Sequence, residues 1–210
     1  VTKKLAIIVH GFNVSKPERT VGKLAPYFEA SGFQVSMLRY GHLGLWRVRK
    51  RNIALAKKLA QEVFAARRQG YQVYVVSHSN GGTITRIASE KYRAPIHLAV
   101  CINPALKKDL HPCPTAKTVH VYHNADDLPV RLGKWLRRIM PWDFDARPWG
   151  EMGCEGYQGD SMRVYNFDTK NDFRVKALGH SGVFKAEQIE FYGPLIAGAA
   201  SNEEGYATRF

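Results

Sequence analysis

The chain has 210 residues, 45% of them apolar, and a formal net charge of +13 from 31 Lys and Arg against 18 Asp and Glu. This length suits one compact domain with a real core, and no run of about 18 apolar residues is present to form a membrane-spanning helix. The three cysteines, Cys101, Cys113 and Cys154, are an odd number without metal-ligand spacing, and reduced thiols in a cytoplasmic setting fit them best.

In chain order, Leu5-Ala6-Ile7-Ile8-Val9 reads as a buried strand. Its basic flank, Val1-Thr2-Lys3-Lys4, precedes only five apolar residues, which fits a first strand better than a signal sequence. The loop His10-Gly11-Phe12-Asn13 follows at once. A helix is expected from about residue 17 to residue 30, with Pro17 suited to its first turn and Gly32 to its stop. Residues 33–38 are the next strand. A long helix is expected over residues 47–69, with Ile53, Ala56, Ala60, Val63 and Phe64 as its buried stripe and Gly70 after its end.

Val73-Tyr74-Val75-Val76 is strand-like, and Thr83-Ile84-Thr85-Arg86-Ile87-Ala88 is helix-like. Between them stands Ser77-His78-Ser79-Asn80-Gly81. A strand that turns straight into a helix through small-x-Ser-x-Gly has the layout of a nucleophile elbow. The turn is so sharp that the residues two positions either side of the serine must be small, here Ser77 and Gly81. It lifts the Ser79 hydroxyl clear of the sheet.

Residues 96–102 form an apolar strand in which His97 reads as a structural, hydrogen-bonded histidine. Residues 119–123 are a further strand, ending in Asn124-Ala125-Asp126-Asp127. Residues 133–160 form a Trp-rich segment with Trp135, Trp142 and Trp149, and Trp46 lies in an earlier loop beside Leu43 and Leu45. These loops read either as covers for the sheet or as an apolar lip that receives an acyl or aryl group, with Trp46, Trp135 and Trp142 in contact with it. Residues 162–167 are the last strand and lead to Gly179-His180-Ser181-Gly182. A final helix is expected from Ser181 or Gly182 towards Tyr192, interrupted by Pro194. One domain over residues 1–200 is expected, followed by a frayed polar tail over residues 201–210.

Strands and helices alternate, which predicts an α/β fold with a mainly parallel central sheet and helices on both faces. The order Ser, Asp, His, each following a predicted strand, resembles that of the α/β-hydrolase superfamily. The resemblance spans the chain from Leu5 to about Gly198. It implies Ser79 as nucleophile, His180 as base, and an acid from the pair Asp126 and Asp127. Asp127 is preferred because Asp127-Leu128-Pro129-Val130 has the spacing of superfamily members; Asp126 is the alternative, and the aspartate not used as the acid is a candidate cap for a helix near Pro129. The resemblance also implies an oxyanion hole from the backbone amides of Phe12 and Asn80. It implies that His10 supports its loop, and His78 leaves the elbow in the wrong direction to be the base.

The implied activity is that of a small lipase- or esterase-like serine hydrolase acting on a small-molecule or lipid-like ester or a thioester. No metal is expected, because His120 and His123 point to opposite faces of a strand and lack a third ligand. No phosphate-binding glycine loop is present, so no nucleotide cofactor is expected.

Eight cations fall between Arg47 and Arg68, with Glu62 the only acid among them. A solvated helix face explains such a pattern; a surface for an anionic polymer or membrane, or contact with a substrate head group, are its alternatives. The charge therefore motivates a second reading, a catalytically degenerate fold used as a binding module. A third is a virus- or host-directed envelope esterase of phage or bacterial source.

Overall fold

β-Branched runs and amphipathic helices alternate along the chain, and the computed structural model assembles them around a single parallel sheet. It describes residues 2–12, 16–41, 48–130 and 150–202. The strands are β1 (Lys3–Val9), β2 (Gln34–Leu38), β3 (Tyr71–His78), β4 (Leu98–Ile102), β5 (Thr118–His123) and β6 (Val164–Asp168). Their order is β2-β1-β3-β4-β5-β6, and every neighbouring pair is parallel. The α-helices are α1 (Ala25–Ala30), α2 (Val48–Arg68), α3 (Asn80–Tyr92), α4 (Met152–Glu155) and α5 (Ala186–Ser201).

Successive strand residues point to opposite faces, and here both faces are covered. On one, Ala6, Ile8, Tyr74, Val76 and Val100 pack with Phe28 of α1 and with Ile189, Tyr192 and Ile196 of α5. On the other, Ile7, Val9, Val75, Ala99 and Val121 pack with Leu59 and Val63 of α2 and Ile84 of α3. Each fully buried large aliphatic side chain contributes about 1.5–3 kcal/mol of transfer free energy, so the central strands dominate stability. His120 lies on the face of Tyr122, ringed by Phe167 at 5.5 Å; His123, an odd number of positions away, faces the other side.

The strand order reverses between β1 and β3. The chain leaves these two neighbouring strands in opposite directions, which opens a crevice at their C-terminal ends. Both the His10-Gly11 loop and Ser79 emerge there.

Four expectations need correction. The helix over 17–30 is broken into 3₁₀ turns at Pro17–Arg19 and Val21–Leu24, followed by α1. Pro26 has no N–H for Gly22 O, and Ala25 N–H takes that carbonyl in a tighter turn. The stripe of α2 runs through Val48, Asn52, Ala56, Leu59, Ala60, Val63 and Ala66; Ile53 is half-buried and Phe64 is exposed, one position off the true face. The final helix does not begin at Ser181 or stop at Pro194. A 3₁₀ turn, Gly182–Phe184, precedes an extended Lys185, and α5 then runs through Pro194 to Ser201. Burial of Tyr192, Ile196, Ala197 and Ala200 outweighs the hydrogen bond that proline removes. The cap near Pro129 comes from Asp127 itself, whose Oδ1 accepts the Val130 N–H at 3.1 Å.

Of the Trp-rich segment, residues 150–160 are described and include α4. Met152 N–H donates to Leu106 O at 2.8 Å, and Asn124 N–H donates to Gly153 O at 2.8 Å. This end is therefore pinned to the loops after β4 and β5. Trp46, Trp135, Trp142, Trp149, Asn13 and residues 203–210 of the tail lie outside the described residues.

Candidate active site

Ser79 joins β3 directly to α3 with φ 55° and ψ −123°. A non-glycine residue there carries strain of about 1–3 kcal/mol and persists only where its surroundings over-determine it. They do so here. Ser79 N–H donates to Ile102 O at 3.1 Å, while Ser79 O accepts from Gly82 N–H at 3.0 Å and Ala105 N–H at 3.1 Å. A Cβ on Gly81 would sit 2.4 Å from Val9 O and 2.9 Å from His10 O, so the residue two after the serine must be glycine. Ser77, two before it, is buried and donates to Val100 O at 3.2 Å.

The first loop reaches the same place. A Cβ on Gly11 would approach Ser79 Cβ to 3.0 Å, so Gly11, the residue before Phe12, lies directly against the elbow. His10 holds this loop: its Nδ1–H donates to Gly11 O at 3.0 Å and its Nε2 accepts Tyr40 N–H at 3.3 Å. The Tyr40 ring stacks on the imidazole at 3.7 Å, and its hydroxyl donates to His10 O. Burial lowers the His10 pKa, so a neutral ring with one fixed tautomer does the holding. The same burial raises that of the Tyr40 hydroxyl, which stays a donor. The elbow is also tied to α2. The side-chain amides of Asn52 and Asn80 exchange two hydrogen bonds, each 2.9 Å, and both residues are buried.

Asp127 lies just beyond β5 and is fully buried. Its Oδ2 and Oδ1 lie 2.7 and 2.9 Å from His180 Nδ1. Asp127 O accepts the Cys154 thiol of α4 at 3.2 Å. Asp126 instead pairs with Lys170 at 2.8 Å in solvent. The structure thus brings Asp127, not Asp126, to His180. With Nδ1–H committed to the carboxylate, the lone pair of His180 is on Nε2, the form a general base needs.

His180 follows Gly179, which has φ 79°, in the loop after β6. That loop is fixed from below: Ala177 N–H donates to Thr169 O at 3.0 Å, and the Tyr192 hydroxyl donates to Val175 O at 2.7 Å. The His180 ring lies 4.7 Å from that of His78, the residue before Ser79. His78 is buried, and desolvation, with the nearby His180 as the next cause, pushes its pKa down to about 3. It is therefore neutral and unsuited to act as the base. No hydrogen bond joins Ser79 Oγ to His180 among the described residues; such bonds often tighten only when substrate is bound.

The arrangement is a hydroxyl on a strained turn, a histidine of fixed tautomer and a buried carboxylate, gathered at one end of a parallel sheet. Among the described residues, no group of three His, Cys, Asp or Glu is placed to hold a metal ion, and no helix is long and apolar enough to cross a membrane. The sequence reading passed over Tyr40, Asn52, Asn103 and Cys154. Asn52 had a visible signal, a polar residue at a stripe position of α2.

No protein-family model and no curated protein matches the chain. Solved structures do. A Xanthomonas campestris protein assigned to the α/β hydrolase superfamily matches with a TM-score of 0.54 at 20% identity, over 93% of this chain and 99% of its own. A mature lipase of Bacillus licheniformis matches with 0.56 at 13% identity, over 93% and 92%. A monoacylglycerol lipase of Paleococcus ferrophilus matches with 0.51 at 17% identity, over 94% of each chain. Together with the parallel sheet and the strand order, these likenesses show that the chain has the α/β-hydrolase fold.

Proposed function

We propose that the protein is a cofactor-free serine hydrolase that cleaves a carboxylic ester or thioester through an acyl-enzyme. The observation that carries this reading is the buried Asp127 carboxylate on His180 Nδ1, beside a serine held at φ 55°. In this mechanism Ser79 Oγ attacks the acyl carbon while His180 Nε2 takes its proton. The amides of Phe12 and Asn80 receive the negative charge that develops on the carbonyl oxygen. Collapse breaks the bond to the alcohol or thiol, which leaves with the proton from His180. Water then attacks the acyl-enzyme with His180 again as base, releasing the acid and restoring Ser79. Asp127 stays ionised throughout and stabilises the imidazolium.

An ester or thioester of apolar character is favoured by Leu128, next to Asp127 in the chain, and Leu178, two residues before His180, which are 62% and 47% exposed. The Trp-rich composition around residues 135–149 and at Trp46 points the same way. The lipases among the structural neighbours agree with this by analogy of fold alone. A fluorophosphonate label on Ser79, and turnover of p-nitrophenyl esters of increasing chain length with and without Ser79→Ala, test the reading. Turnover that survives Ser79→Ala would refute it.

The exposed cations of α2 favour a second reading, a catalytically degenerate fold that binds an anionic polymer or membrane surface. Absence of labelling together with salt-sensitive binding would select it.

A further inference from the structure

His180 is far from Ser79 in the fold's own order. Its loop follows β6, while Ser79 follows β3, with β4 and β5 between them. Asp127 fixes one end of the imidazole. The other end is fixed through the peptide: His180 O accepts His78 Nε2–H at 2.9 Å and Asn103 Nδ2–H at 2.8 Å. The Asn103 amide also reaches Gly179 O at 3.4 Å. His78 is the last residue of β3 and Asn103 the first after β4. Two points on one residue, ring and carbonyl, determine where its Nε2 lies.

Neither donor is a natural choice for stability alone. Both residues are buried, and His78 Nδ1 and Asn103 Oδ1 have no partner among the described residues. Each therefore places a buried polar side chain where packing alone would favour an apolar one, with its N–H directed at the His180 peptide. Asn103 is also held in the left-handed region at φ 44°, where its N–H donates to Tyr122 O at 2.7 Å. Positive φ thus occurs at the ends of two adjacent strands, at Ser79 and at the residue that reaches His180.

We propose that His78 and Asn103 are positioning residues that clamp the His180 peptide to the ends of β3 and β4 and so hold its imidazole on Asp127. Their role in hydrolysis rests on the reading of His180 as general base. A displacement of about 1 Å at a reacting group can cost about a hundredfold in rate, so loss of one clamp bond should be visible in turnover.

The variants are Asn103→Asp, which replaces the donor by an acceptor of the same shape, His78→Leu, which removes the donor, and His78→Gln, whose Nε2–H restores it. Two readouts are needed: the rate of Ser79 labelling by a fluorophosphonate, and the downfield proton resonance of His180 Nδ1–H, assigned by its loss in His180→Gln. The clamp predicts that Asn103→Asp and His78→Leu label at least about tenfold more slowly and shift or broaden the resonance. For p-nitrophenyl esters the loss falls on kcat, with KM little changed. His78→Gln stays near wild type in every readout. Should His78→Leu not fold, Asn103→Asp and His78→Gln carry the comparison. Wild-type labelling and an unmoved resonance in Asn103→Asp would overturn the clamp and leave the hydrolase reading intact. A wild-type protein that does not label, but whose resonance still depends on these donors, would sink the hydrolase reading and leave the clamp.

Discussion

The Asp127 carboxylate meets His180 Nδ1 at 2.7 and 2.9 Å with its side chain wholly out of solvent, while its neighbour Asp126 faces water and pairs with Lys170. The two aspartates therefore make opposite predictions. Asp127→Asn places an N–H donor against Nδ1, favours the wrong tautomer, and should lower kcat/KM for an ester about 10³–10⁴-fold. Asp126→Asn loses an exposed ion pair and should stay within about threefold of wild type. Comparable losses in the two variants would remove Asp127 from its assigned role.

Ser79 offers a test that separates chemistry from folding. Ser79→Ala should lower turnover by several powers of ten while melting close to wild type, because alanine keeps the strained backbone. Ser79→Gly should also be inactive but more stable than Ser79→Ala. It releases about 1–3 kcal/mol of strain and forfeits about 0.5–1 kcal/mol of chain entropy. A net gain near 1 kcal/mol raises Tm by about 2–4 °C in a chain of this size. A lower Tm for the glycine variant would show that φ 55° costs nothing here.

Gly81 and Gly198 are predicted to respond oppositely to alanine. At Gly81 the new methyl would meet Val9 O at 2.4 Å, and backbone cannot yield as a side chain does. A loss of about 2–3 kcal/mol is expected, with a fall in Tm of about 5–10 °C. At Gly198, inside α5, nothing lies within 4 Å, and alanine should add about 0.5–1 kcal/mol of helix stability. Thermal melts of the two single variants decide it.

The centre of the sheet was legible because its strands are apolar runs bounded by turn residues, as in β4, where every residue is buried. The elbow was legible because Ser77 and Gly81 are steric requirements and so leave a mark in residue type. Asp127 was separated from Asp126 only by a helix-start pattern, and burial now separates them physically. What escaped was long-range. Asn103 and His78 act on a carbonyl more than 75 positions away, and nothing local in either segment reports that pairing. The breaks before Ala25 and at Lys185 escaped because apolar periodicity persists across a 3₁₀ turn.

His78 should leave a signature in the pH dependence of stability. Burial keeps it neutral in the folded state down to about pH 3, whereas in the unfolded chain it takes a proton near the ordinary histidine value of 6.5. Below that value the unfolded state binds more protons, so stability falls as pH drops towards 3; above it His78 contributes no slope. His10 and His111, also lowered by burial, act in the same direction. His78→Gln keeps the N–H donor but cannot titrate. Urea unfolding between about pH 6 and pH 4 should give the variant a slope shallower by up to about 1.4 kcal/mol per pH unit. Parallel curves would mean that His78 is charged in the folded protein.

The apolar stripe of α2 faces the sheet, and Lys50, Arg51, Lys57, Lys58, Arg67 and Arg68 are all exposed. Hydrolysis of a small neutral ester should change little when Arg49, Lys50, Lys57 and Lys58 are replaced by Gln. It should change little with salt as well, because the Ser79 site is local and partly desolvated while exposed charges are screened beyond about 10 Å at ~0.1 M ionic strength. Binding to vesicles of acidic lipid, to lipopolysaccharide or to nucleic acid should behave differently if this face recruits a partner. It should weaken steeply with added salt in the wild type and be lost in the fourfold variant. Binding that is the same in both proteins on all three surfaces would assign the cations to solvation alone. A fall in ester turnover that follows the charge would instead place them in contact with the substrate.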